Sequence, residues 1–138
     1  MQLRQISKWF VIAGTLVIWS VKFGIRPYCD CERPLEFFLG IAPNLLGAFL
    51  IPFGACWFFS GRGFLLARIF RIHSVNDLRL VGLLGFSMLV LNEYLQLIPV
   101  FGRTFDYFDL IFSALGLAAS YFVFGKIYNR AVYFSRQW

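Results

Sequence analysis

The chain has 138 residues, of which 59% are hydrophobic, 20% aromatic and only 14% charged, and its mean hydropathy is +0.70. A soluble domain of this size has no interior large enough for that much apolar surface, so the composition excludes an ordinary water-soluble globule and makes lipid the solvent for most of the chain. The formal net charge of +6 does not indicate nucleic-acid binding, because the basic residues fall in short blocks between apolar runs and form no continuous basic face.

A helix needs about 20 mostly apolar residues to cross a bilayer, and four stretches provide them. The first covers residues 9–25, interrupted near its end by Lys22. It does not read as a cleavable signal peptide, because no small-x-small site follows the apolar run. The second covers 35–59 and contains Pro43 and Pro52, which predict a kink or a broken helix. The third covers 80–101 and the fourth 108–128. The predicted fold is all-α: one polytopic membrane domain over residues 1–138, a bundle of about four transmembrane helices.

The connections are short except for residues 60–79, which read as a loop with an amphipathic helix in the membrane interface. There Phe64, Leu65, Ile69 and Ile72 would meet lipid while Arg62, Arg68, Arg71 and Arg79 meet phosphates. Lys and Arg in short connections set orientation. Arg4, Lys8, the four arginines of the middle connection, Lys126, Arg130 and Arg136 outweigh Arg26, Arg33 and Arg103 on the other side. Both termini and the middle connection are therefore expected in the cytoplasm. Trp9, Trp57, Tyr28, Tyr107, Tyr128 and Tyr133 fall near segment ends, as an aromatic belt does.

Polar residues gather at the expected outer side. Glu93 and Gln96 are three apart and share a helix face. Asp106 and Asp109 open the fourth helix, where their charge suits the helix dipole and Asp106 is placed to cap it. Arg103 lies between the two pairs, in a turn prepared by Pro99 and Gly102. An ionisable side chain at membrane depth costs about 3 kcal/mol even on the mildest scale, so Glu93 needs a partner, water or a proton. Two compatible readings follow. Glu93, Arg103 and an aspartate form a structural ion network, or they line a small outward pocket where Arg103 holds a phosphate or carboxylate and Glu93 moves a proton. In the second helix, Asn44 is a buried-range amide suited to an interhelical hydrogen bond, and Gly47 and Gly54 are expected to permit close helix approach. Ser113, Gly116, Ala119 and Ser120 give the fourth helix a small-residue stripe for packing.

At these residues the chain resembles the VanZ-like family of bacterial membrane proteins. The resemblance rests on Glu93-x-x-Gln96, Gly102-Arg103, Asp106-x-x-Asp109 and Leu115-Gly116, with Asn44 and Ile51-Pro52-Phe53-Gly54 upstream, and it covers about residues 44–125. Where the family usually has Asn four residues after the second Asp, this chain has Ser113. The resemblance implies a membrane protein of the bacterial cytoplasmic membrane and cell envelope, in a family whose name-giving member is associated with resistance to glycopeptide antibiotics. It marks Asn44, Glu93, Gln96, Arg103, Asp106 and Asp109 as the ligand-binding set.

Cys29 and Cys31 form a Cys-x-Cys pair in the first outward connection, a weak candidate for metal or redox chemistry. Cys56 is expected near the opposite membrane face and His73 on the cytoplasmic side, so neither completes a tetrahedral zinc site there. The sequence carries no phosphate-binding glycine loop, nucleophile elbow or paired-His motif and implies no cofactor. The first functional reading is an envelope protein, non-enzymatic or weakly catalytic. It would engage a lipid headgroup, a lipid-linked precursor or a lipophilic antibiotic. A second is an accessory subunit of a larger membrane complex, with the polar cluster structural. A third is a proton-coupled transporter, for which four helices leave little room for alternating access unless the chain oligomerises.

Overall fold

The structure, a computed structural model, describes residues 3–28, 33–95 and 106–135, with side chains as far as Ala131. Helix α1 spans Leu3–Trp19 and continues as a π-helix over Ser20–Ile25; α2 spans Arg33–Phe59, α3 Leu65–Ile69, α4 Val75–Leu95 and α5 Tyr107–Ser135. Four of these helices, taking α1 with its π-helical continuation, are long and apolar enough to cross a membrane. The protein is an all-α, multi-pass membrane protein.

Helix α2 is the centre of the bundle. It packs most extensively on α5, next on α1, and then on α4, which also packs on α5. The side chains that meet give the directions. Phe37 meets Phe108 with ring centroids 5.3 Å apart, and Phe53 meets Phe124 at 5.2 Å. Gly116 faces the Leu45 carbonyl between those two levels. The sequence offset is the same at all three, so α2 and α5 run parallel. Helices α1 and α4 run antiparallel to that pair. Phe10 stacks on Phe53 at 4.5 Å while Gly14 faces Leu50, and Arg79 bonds to Tyr121 while Gly82 faces Leu117.

The close approaches fall at Gly116, in the expected stripe of the fourth helix, and at Gly85 and Gly14, and not at Gly47 or Gly54. A Cβ added at Gly47 or Gly54 would meet nothing within 4 Å, whereas one at Gly116 would lie on the Leu45 carbonyl oxygen and one at Gly85 would stand 2.7 Å from Ile51 Cγ2. In lipid, helices associate through packing and hydrogen bonds because the solvent is as apolar as the side chains. Missing side chains matter only where backbones meet. Ser113, Gly116 and Ser120 are buried along that contact face, whereas Ala119 is exposed.

Other expectations shift. Helix α2 is continuous across Pro43 and Pro52. A proline costs about 3 kcal/mol in a water-exposed helix interior, but neighbouring helices and local backbone adjustment accommodate it within a membrane bundle. Helix α2 ends at Gly61, whose φ of 82° only glycine adopts freely. Residues 60–79 hold a loop and a short helix, with Phe64, Leu65 and Ile69 exposed. Only the single turn α3 is helical before α4 begins, Ile72 is buried in the core, and Arg79 belongs to α4.

The third spanning helix starts at Val75, five residues before its expected start, because of a capping box. Ser74 Oγ accepts from the Asp77 amide at 3.1 Å, and Asp77 Oδ2 accepts from the Ser74 and His73 amides at 2.9 Å each. Residues 96–101, which the sequence assigns to the end of this helix, lie outside the described residues.

The core sits at one end of the bundle. Phe53, Cys56, Ile72, Leu78, Val81 and Phe124 are buried there, flanked by Phe10, Phe49 and Tyr128. The Tyr128 hydroxyl donates to the His73 carbonyl, tying the end of α5 to the segment before α4.

Candidate functional site

At the opposite end the helices leave a cavity of about 710 Å³ with a mostly polar wall. Four elements build it. The π-helical end of α1 contributes Lys22 and Arg26. The first three turns of α2 contribute Arg33, Glu36, Phe37, Gly40, Ile41, Pro43 and Asn44. The end of α4 contributes Asn92 and Glu93, and the start of α5 contributes Asp106 and Asp109.

Local structure explains several of these positions. The π-turn closes with the Arg26 amide donating to the Val21 carbonyl at 3.0 Å. The wider turn takes up an extra residue and brings Lys22 and Arg26 to one wall. Such π segments recur at functional sites. Asp106 caps α5, its Oδ1 accepting from the Phe108 amide at 2.8 Å. That contact orients the first turn, and Asp109 lies in it. Glu93 lies near the described end of α4 and is only 7% exposed. Asn44 is half-buried on the α2 floor. Pro43, next to it, has no N–H to donate to the Leu39 carbonyl.

The cavity thus brings together Asn44, Glu93, Asp106 and Asp109 from the expected set. Gln96 and Arg103 lie outside the described residues, and so does the expected Glu93–Arg103 pairing. Five polar wall residues were not in that set: Lys22, Arg26, Arg33, Glu36 and Asn92. Lys22 carried a signal, since an ionisable residue inside a spanning segment points to function by default. Arg26 and Arg33 were read as orientation signals alone, and nothing local distinguishes a topology arginine from a site arginine.

The wall therefore presents three cations, four carboxylates and two carboxamides. Among the described residues no ion pair joins Lys22, Arg26 or Arg33 to Glu36, Asp106 or Asp109. Phe37, Phe108 and Phe112 form an edge-to-face cluster beside the opening. A second hollow, about 410 Å³ between α4 and α5, is different in kind. Its wall is almost wholly apolar, and its one charged residue, Arg79, donates Nε to the Tyr121 hydroxyl at 3.3 Å.

Among the described residues no group of three His, Cys, Asp or Glu side chains is arranged to hold a metal ion. Cys29 and Cys31 lie outside those residues, and Cys56 is buried at the core end. Compared with known proteins, the chain matches no family model, no curated protein and no solved structure.

Proposed function

We propose that this chain is a VanZ-like protein of a bacterial cytoplasmic membrane that holds the polar head of an amphiphile in an outward-facing cavity. The amphiphile is a membrane lipid, a lipid-linked envelope precursor or a lipophilic antibiotic. The observation that carries the reading is the 710 Å³ cavity. It falls in the range of small-ligand sites, about 300–1,000 Å³, and gathers seven ionisable side chains, of both signs, on one wall. Charges at membrane depth are costly and mark binding or transport paths.

The outward orientation and cytoplasmic termini are supported by charge. Arg4, Lys8, Arg62, Arg68, Arg71, Lys126 and Arg130 belong to the end away from the cavity, as cytoplasmic ends do. The resemblance adds Arg103 to the proposed ligand set, as a guanidinium that would hold a phosphate or carboxylate where Lys would fail.

The test is purification of the wild type, Arg103→Ala and Asp109→Asn in mild detergent, with mass spectrometry of every retained lipid and protein. A specific amphiphile kept by the wild type and lost from equally stable variants supports the reading. A stoichiometric protein partner kept by all three, with no such amphiphile, makes the chain an accessory subunit and the polar residues structural.

A further inference from the structure

The charges of the cavity are segregated by element except on α2, which carries both signs in Arg33 and Glu36. Lys22 and Arg26 come from the π-helical end of α1, and Arg33 starts α2. Asp106 and Asp109 come from the start of α5, and Glu93 from the end of α4. Helix α1 packs on α2, touches α5 only slightly and forms no substantial interface with α4. Helix α2, which carries Arg33 and Glu36 and adds Gly40, Ile41 and Asn44, therefore lies between the cations of α1 and the carboxylates of α4 and α5.

Such a cavity selects against ligands of one sign. A purely anionic head meets the cations of α1 but brings like charge against Asp106 and Asp109, and a purely cationic head does the reverse. An uncharged polyol replaces the water around both groups without matching either charge. A head with a phosphate at one end and an ammonium at the other satisfies both. Guanidinium and ammonium groups make charge-assisted hydrogen bonds to phosphate oxygens, and carboxylates accept N–H bonds from a primary amine. A quaternary ammonium has no N–H to donate and is recognised by an aromatic cage. Phe37 is the one aromatic on this wall among the described residues. Beside the opening, Phe38 and Phe108 are 60% and 50% exposed, giving apolar surface where acyl chains would leave the head.

We infer that the cavity binds the head of a zwitterionic phospholipid bearing a primary amine, of the phosphoethanolamine class. The phosphate lies toward Lys22, Arg26 and Arg33, and the ammonium toward Asp106 and Asp109. This rests on the headgroup reading above and adds the class of ligand.

The test places the full chain in nanodiscs with equal amounts of phosphatidylethanolamine, phosphatidylcholine, phosphatidylglycerol and phosphatidic acid of matched acyl chains, and reads the lipids retained by native mass spectrometry. The expected result is about tenfold enrichment of phosphatidylethanolamine over the other three, the worth of one charge-assisted hydrogen bond. Asp106→Asn with Asp109→Asn keeps side-chain size and is expected to erase the preference over phosphatidylglycerol. Lys22→Ala with Arg26→Ala is expected to lower retention of all four lipids. Thermal melting of each variant checks that it remains folded.

Retention of phosphatidylglycerol or phosphatidic acid at or above phosphatidylethanolamine overturns the zwitterion and leaves the headgroup reading standing. Equal retention of phosphatidylcholine overturns the primary amine. Free O-phosphoethanolamine binding the lipid-depleted protein as tightly as the lipid does overturns the phospholipid as the source. Lipid retention indifferent to every cavity variant removes this inference and the headgroup reading together.

Discussion

The two ends of the bundle are built from the same four spanning helices by opposite means. At the core end, the rings of Phe10, Phe49, Phe53 and Phe124 pack together across α1, α2 and α5, and Leu78 and Val81 of α4 join the same core. At the cavity end the same helices carry charged and amide side chains and enclose about 710 Å³. The difference teaches that this small membrane protein holds itself together at one end and keeps the other open for polar chemistry. Lipid gives little reward for burying apolar groups, so shape complementarity at the core end must hold the helices that carry the site.

The most disruptive way to break that division is Gly116→Leu. The new side chain would occupy the space of the Leu45 carbonyl, and a backbone atom cannot rotate away. Helices α2 and α5 must separate, at a cost of about 3 kcal/mol or more. A fall in melting temperature in detergent is expected, with simultaneous loss of headgroup retention. A full-stability Gly116→Leu protein would show that α2 and α5 do not meet there.

Phe53→Ala should do less. Lipid removes most of the transfer term, leaving a cavity term of about 2 kcal/mol. Melting should fall while headgroup selectivity at the far end persists, because Phe53 lies about two and a half turns from Asn44 along α2. Loss of selectivity at unchanged stability would mean that the two ends are coupled.

Ser74→Ala removes one half of the capping box and should cost about 1 kcal/mol, seen as faster hydrogen exchange at the first turn of α4. Uniform exchange across that turn in both proteins would place the start of the helix elsewhere. Smallest in stability is Asp109→Asn, about 0.5 kcal/mol from the lost charge in the first turn of α5. Its effect should appear in ligand retention instead. A large stability loss with unchanged retention would make Asp109 a structural residue.

Much of the fold was legible because hydropathy and length are local properties. The four spanning segments follow from apolar runs, and the cap at Asp106 follows from an Asp before an apolar helix. The start of α4 was legible too, in Ser74-x-x-Asp77, but the run from Leu80 onward is the louder signal and masks it. The site was half legible. Glu93, Asp106 and Asp109 stand out as charges at segment ends, whereas Arg26 and Arg33 resemble topology signals until α1 and α2 are placed side by side.

What the sequence by itself determined is the class of molecule: an all-α membrane protein with polar residues concentrated at the ends of its spanning helices. Only the fold decided that α2 pairs in parallel with α5, that Gly85 and Gly14 join Gly116 in the close contacts while Gly47 and Gly54 make none, and that Lys22 and Arg26 line one cavity with the carboxylates of α4 and α5. The reason is physical. Partition into lipid depends on composition summed over a segment, which any window of sequence reports. Helix pairing in lipid depends on which surfaces interlock and which side chains meet across them, and residues far apart in the chain settle that together.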